Sequence, residues 1–330
     1  MTSKPRLGFL GLGWIGTQRM QAVAESGLAD ILAIADPSPE ALQNASRIVP
    51  HAKCVQTIYQ LLELELDGIV IASPSALHAD QSIAALERNI AVFCQKPLGR
   101  SLSEVEKIVA TAQRADVLLG IDLSYRFTRG IEAIRDSIHA GELGKIYAAN
   151  LVFHNAYGPD KSWFYHPELS GGGCVIDLGV HLVDLALLLI PSPVTAVSSR
   201  LFCKGVPINP VSTGRVEDFA IARLDFASGA TAQIACSWNL HAGQDAIIEA
   251  SFYGDCGGAS LRNVNGSFLD FTAELYNSTS RKLLAGHPDS WGPRALLSWV
   301  RRLAAGTRFD CEVNSVLRTT AILDSIYQRS

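Results

Sequence analysis

The first third of the chain alternates between two hydrophobic patterns. Runs that are apolar at nearly every position, "LGFLGLG" (7–13), "ADILAIAD" (29–36), "DGIVIASP" (67–74) and "IAVFCQKP" (90–97), are separated by stretches with helical spacing. Residues 14–26, "SALHADQSIAALERN" (75–89) and "SLSEVEKIVATAQRA" (101–115) are the helical stretches, and Ser101 or Ser103 opens the last of them as a cap candidate. "DVLLGIDLSYRF" follows as a further strand. Strands apolar on both faces belong in a sheet covered on both sides. The alternation therefore predicts an α/β unit with an N-terminal doubly wound parallel sheet.

After about residue 123 the pattern changes. Residues 128–141 read as a helix, "HAGELGKIYAANLVFHN" passes through a glycine turn into a long strand, and 174–190 is helical. Several strands follow: "VTAVSSRLFC", "EDFAIARLDFASGATAQIACSW" with "FASGA" as a hairpin turn, and "AIIEASFYGD". "CEVNSVLRTTAILDSIYQ" (311–328) reads as a closing amphipathic helix. This predicts a C-terminal α+β domain with a large, mostly antiparallel open sheet, and boundaries of 1–122 and 123–330. An open sheet covered on one face has another to bury, so a homodimer or homotetramer is expected.

Composition narrows the partners. A chain of 330 residues with 48% hydrophobic content suits about two domains of roughly 150 residues each. Basic residues number 28 against 32 acidic, a formal charge of −4 with no basic stripe, so nucleic acid is not an expected partner. Seven cysteines are an odd number, and none form a CxxC pair. They read as reduced thiols of a cytoplasmic protein with no zinc ribbon. The N-terminal apolar stretch is too short for a signal peptide, and the run at 182–190 is too short to span a bilayer, so no membrane association is expected.

Two places carry candidate chemistry. Gly11, Gly13 and Gly16 form GxGxxG directly after the first strand and at the opening of a helix, with Trp14 and Ile15 in the same turn. Gly11 permits the tight turn, Gly13 lets a pyrophosphate approach the backbone, and Gly16 lets the helix pack closely. Asp36 lies twenty residues after Gly16, at the end of the second strand, where a carboxylate accepts from ribose hydroxyls. The alternative is an ordinary turn with Asp36 as a helix cap before "PSPE". Asp36 would repel a 2′-phosphate and no arginine follows it, so the expected cofactor is NAD rather than NADP. The second place is the apolar segment 171–190, where Asp177, His181 and Asp184 lie at i, i+4 and i+7 on one helical face. Buried polar groups need partners. The stripe is therefore a structural Asp–His network, a general base oriented by a carboxylate, or a pair of metal ligands. No HExxH or cysteine cluster completes a metal set, and no metal is expected.

"FCQKPLG" (93–99) and "GGGCVIDLGVHLVD" (171–184) together resemble the E-K-P and GGG-x-x-x-D-x-G-x-H-x-x-D segments of the glucose–fructose oxidoreductase / inositol dehydrogenase / rhizopine-catabolism (Gfo/Idh/MocA) family. "GLGWIG", "IASPSALHAD" and "SYRF" stand in the expected order. The resemblance implies an NAD(P)-dependent dehydrogenase acting on a sugar or cyclitol hydroxyl, with Lys96, Asp177 and His181 as its catalytic set. It places Ser73, Pro74 and His78 along the cofactor and Arg126 and Trp163 near the nicotinamide or substrate. Gln95 stands where the family usually has glutamate; it still makes hydrogen bonds, with a ribose hydroxyl for instance, but supplies no charge. Two other readings fit the same fold: an NAD-dependent glycosidase that oxidises transiently without net redox, and a non-catalytic nucleotide-binding protein. His154, His166 and the segment "WNLHAGQD" (238–245) are further candidates for the substrate pocket, and the sequence does not identify the substrate.

Overall fold

The computed structural model describes residues 4–209 and 213–328. The chain forms two compact units, Met1–Leu123 with Pro293–Leu317, and Ser124–Gly292 with Arg318–Ser330.

Among the described residues, the first unit is built on six parallel strands: β1 (Arg6–Leu10), β2 (Asp30–Ala35), β3 (Lys53–Val55), β4 (Gly68–Ile71), β5 (Ala91–Cys94) and β6 (Leu119–Ile121). Their order is β3-β2-β1-β4-β5-β6, reversing direction at β1 and β4. Every residue of β4 and β5 is buried, as strands without an apolar–polar alternation require. The connecting helices are α1 (Trp14–Ser26), α2 (Pro39–Ser46), α3 (Ile58–Leu62), α4 (Ser75–Leu86) and α5 (Leu102–Ala115). Ser101 is the cap of α5, its hydroxyl accepting from the Glu104 N–H.

Pro293–Leu317 falls in the second domain by sequence position but packs with the first unit. Its helix, Arg294–Ala304, buries Trp299 over the sheet. Glycines make the slot: a Cβ at Gly68 or at Gly120 would lie 2.6 Å from the indole. The Phe93 ring of β5 lies between them, 5.8 Å from the Trp299 centroid. Contacts of this kind join residues far apart along the chain, so no local periodicity announces them.

Among the described residues, the second unit holds nine strands. They are β7 (Ile146–Asn155), β8 (Val194–Cys203), β9 (Val206–Pro207), β10 (Phe219–Phe226), β11 (Thr231–Ser237), β12 (Ala246–Gly254), β13 (Gly258–Asn263), β14 (Phe271–Asn277) and β15 (Ser280–Ala285). The order is β15-β14-β13-β12-β7-β11-β10-β8-β9. All pairings are antiparallel except β7 with β11. The hairpin at "FASGA" closes with the Phe226 N–H donating to the Ala230 carbonyl. Strands β13 to β15 extend the sheet beyond the sequence expectation. "SRKLLA" in β15 is exposed over its first four residues, so its pattern reads as polar. Helix α6 (Arg129–His139) is capped by Thr128.

The apolar segment of the second unit is more fully helical than expected. Pro167–Leu189 is long and apolar enough to cross a membrane, with a mean hydropathy of 1.8, but 83% of that window is buried inside the fold. It contains a short turn, α7 (Pro167–Ser170), a π-helical turn over Val175–Gly179, and α8 (Val180–Leu189). As a core segment it hides most of its side chains inside the fold.

Candidate functional site

In the first unit the strand ends converge on the start of α1. Gly11 takes φ +89, and a Cβ there would lie 2.5 Å from the Ala72 backbone at the end of β4. At Gly16 a Cβ would lie 2.0 Å from the Gly11 carbonyl oxygen, so the helix meets the loop only without a side chain. Gly13 is different: it is exposed and a Cβ there would touch nothing within 4 Å. No protein contact requires that glycine, and the open space suits a ligand that comes up to the backbone.

Gly13 is also the N-cap of α1; it has no side chain to cap the helix, and the first turn carries no acidic residue. The first backbone N–H groups of α1 therefore keep their donors and positive end of the dipole for an anion. Trp14, the first residue of the helix, is 75% exposed, and Ile15 is half-buried. Asp36 braces the loop: Oδ2 accepts from the Leu12 N–H and Oδ1 from the Ser38 N–H, both at 2.8 Å. The α2 cap is Ser38, whose hydroxyl accepts from the Ala41 N–H. Each Asp36 oxygen keeps a lone pair for a further donor. The residues present thus fit a dinucleotide: an open uncapped helix start for the pyrophosphate and a held carboxylate for a ribose.

The β4 and β5 ends are tied together by His78. Its Nδ1 lies 2.7 Å from the Pro97 carbonyl and its Nε2 lies 2.7 Å from the Ser73 carbonyl. Burial pushes its pKa below the usual value near 6.5, more than the two carbonyls raise it. His78 is buried, and both ring nitrogens face backbone carbonyls, one of which accepts the single N–H of a neutral imidazole. Ser73 donates its hydroxyl to Gln81, while Pro74 is exposed at the start of α4. Lys96 is half-buried just past β5, and the Lys96–Pro97 peptide is cis. Gln95 beside it is buried, its Nε2 donating to Asp122 Oδ2 just after β6. Arg19 of α1 donates to the same oxygen at 2.6 Å. Asp122 and Arg19 escaped the sequence analysis; the available signal was a charge embedded in an apolar strand and another on the inner face of α1.

In the second unit the Asp177–His181–Asp184 stripe separates into three environments. Asp177 sits in the π turn, half-buried, accepting from Trp238 Nε1 at 3.1 Å. His181 is buried, its ring 4.8 Å from Tyr125 and 6.4 Å from Phe153. Asp184 is held in a two-point ion pair with Arg126, whose Nε donates at 2.6 Å. The guanidinium of Arg126 is therefore committed to α8, a structural duty beside the cofactor-side placement expected of it. Trp163 lies half-buried in the turn Ser162–Tyr165, stacked on Phe164 with centroids 3.8 Å apart. His154 packs against Phe219 and meets the Ser237 hydroxyl at 2.7 Å; burial lowers its pKa.

The last of the three glycines, Gly173, is explained by a residue the sequence analysis missed. A Cβ at Gly173 would lie 1.9 Å from the Glu217 carbonyl oxygen. The buried Glu217 carboxylate accepts from the Gly173 N–H at 3.0 Å, the Val175 N–H at 2.9 Å and the Tyr327 hydroxyl at 2.7 Å. It caps the helix start that presents Asp177 and His181. Burial pushes the Glu217 pKa up, against those three donors. An acid opening an apolar strand at "VEDFA" was the available signal.

Residues 6–123 match an oxidoreductase family with an NAD-binding Rossmann fold, and residues 131–260 match the GFO/IDH/MocA C-terminal domain. The rhizopine catabolism protein MocA of Rhizobium meliloti is 34% identical over 180 residues, 54% of this chain and 55% of that protein. The matched stretch thus spans about half the length of that relative. A putative UDP-kanosamine synthase oxidoreductase subunit of Amycolatopsis mediterranei (strain S699) is 30% identical over 275 residues, 78% of this chain and 75% of that one. In fold, levoglucosan dehydrogenase in complex with NADH superposes with a TM-score of 0.83 at 19% identity, covering 99% of this chain and 97% of the other. A nucleotide cradle at the first glycine turn, a Q-K-P strand end and a GGG-led helix bearing Asp177 and His181, together with matches along both units, make this chain a member of the Gfo/Idh/MocA oxidoreductase family.

Proposed function

We propose that the protein is an NAD-dependent oxidoreductase acting on a secondary alcohol, or the corresponding ketone, of a sugar or cyclitol. The observation that carries the reading is the start of α1, where an open glycine and an uncapped helix end lie beside the braced Asp36 carboxylate. Nicotinamide, when bound, accepts or returns a hydride. The protein's part is to manage the hydroxyl proton and the charge that develops on its oxygen. In this reading His181 takes the proton, the Lys96 ammonium stabilises the oxygen as negative charge grows, and Asp177 orients the base or holds a neighbouring hydroxyl. Tyr125 and Phe153 pack against the His181 ring and restrict its orientation. Asp36 favours NAD, because a 2′-phosphate would meet its charge. The names of the Rhizobium and Amycolatopsis relatives support a polyhydroxylated ring as the substrate class.

The test is a panel of sugars and inositols followed at the NADH absorbance band, with NAD and NADP in parallel. Net NADH formation with at least one substrate is expected, along with a loss of 10²-fold or more in kcat for Lys96→Ala and His181→Ala, the ordinary range for removing a charge stabiliser or general base. NAD binding with no turnover on any substrate, or variants as active as the parent, would overturn the assignment.

A further inference from the structure

Position 95 carries an amide beside a buried charge pair, and the structure gives it a definite orientation. Gln95 and Asp122 follow adjacent parallel strands, with the Asp122 N–H donating to the Cys94 carbonyl. Both are buried, at 7% and 1% exposure, as is Arg19 at 7%. Asp122 Oδ2 accepts from both Arg19 Nε and Gln95 Nε2. Among the described residues, no donor reaches Asp122 Oδ1, and Gln95 meets Asp122 through its Nε2 end.

We propose that Asp122, neutralised by Arg19, positions Gln95 so that its Oε1 is presented as an acceptor to a hydroxyl of the bound dinucleotide. This rests on the nucleotide-binding reading above.

The argument is one of donors and charge. Only the NH2 end of an amide donates to a carboxylate, so Asp122 selects one of the two orientations of Gln95. The carbonyl oxygen then points away from Asp122 as an acceptor, which is the role a glutamate oxygen would fill. A glutamate at 95 would instead set two carboxylates at hydrogen-bond distance, where both do not stay ionised together. A single Arg19 balances one of them. A chain with Asp122 therefore works with glutamine at 95, and a chain with an amide at 122 would work with glutamate. Asp122 and Arg19 are positioning residues: they act through Gln95.

The test is a charge swap in the full-length protein, read by NAD titration on tryptophan fluorescence and by melting of the cofactor-free protein. Gln95→Glu is expected to raise the Kd for NAD at least tenfold at pH 7.5, with recovery as the pH is lowered and the paired carboxyls share a proton. Asp122→Asn is expected to raise the Kd similarly and to lower the melting temperature, because Arg19 loses its counter-charge. The double variant Gln95→Glu/Asp122→Asn restores one carboxylate, one amide and one guanidinium, and is expected to bind within about threefold of the parent and to regain most of the lost melting temperature. Failure of the parent to bind NAD would defeat the functional reading, while the melting cycle would still decide the relay. The relay is overturned if Gln95→Glu binds as the parent does at every pH, or if the double variant melts and binds as the sum of the two singles.

Discussion

Replacing Glu217 would separate the two things its carboxylate does. Wholly buried, it accepts from two backbone N–H groups and from the Tyr327 hydroxyl through Oε1, while Oε2 has no donor among the described residues. Glu217→Ala strands three donors at about 1–3 kcal/mol each, so a loss on the order of 5 kcal/mol is expected. Glu217→Gln keeps an acceptor oxygen. Its three bonds weaken from charge-assisted to neutral, at about 1 kcal/mol each, but several kcal/mol of carboxylate desolvation disappear. The net change at neutral pH should stay within about 2 kcal/mol. The pH dependence is the sharper signature. Burial raises the native pKa of Glu217 above its usual value near 4.5. The native state therefore holds the proton more tightly than the unfolded chain, and the linked stability is complete below about pH 4.5 and is lost as pH rises through the raised native value. Urea unfolding of the parent and both variants from pH 4 to 8 measures this. The parent should lose ground to Glu217→Gln as pH rises. A flat difference across that range, or an alanine variant as stable as the glutamine one, would refute the reasoning.

Trp238→Phe removes one donor to Asp177 but keeps an aromatic ring near Tyr165 and Phe164. A kcat about tenfold lower, equivalent to about 1.4 kcal/mol, with an unchanged Kd for NAD is expected, and an unaltered kcat would remove Asp177 from the proposed chemistry. Burial depresses the His78 pKa below its usual value near 6.5, so the unfolded chain takes up the proton first and stability should fall as pH drops below about 6.5. His78→Gln should flatten that fall between pH 7 and 5, and equal slopes in the two proteins would count against a neutral buried imidazole.

The glycine turn shows how far sequence reaches. Gly11, Gly13, Gly16 and Asp36 lie within a strand–turn–helix–strand unit whose geometry is set by neighbours in the chain, and the structure brings the Leu12 N–H onto Asp36 as that unit closes. The stripe on the second unit shows the limit. Spacing put Asp177, His181 and Asp184 on one face, but the π turn inserts an extra residue per turn at Asp177, and the three side chains find Trp238, Tyr125 and Arg126 respectively.

What the sequence determined by itself, then, is the set of local units. The all-apolar strands imply a covered parallel sheet, the GxGxxG opens a helix, and the succession of strands with a hairpin turn after residue 190 builds a largely antiparallel sheet. Periodicity and turn chemistry are properties of contiguous residues. Partnerships are not. Trp299 reaching Gly68 and Gly120, Glu217 capping the turn at Gly173, and Asp122 drawing Gln95 and Arg19 together all join distant segments. A buried charge or an absent Cβ is satisfied by whatever the tertiary packing brings beside it, and only the folded chain decides which residue that is.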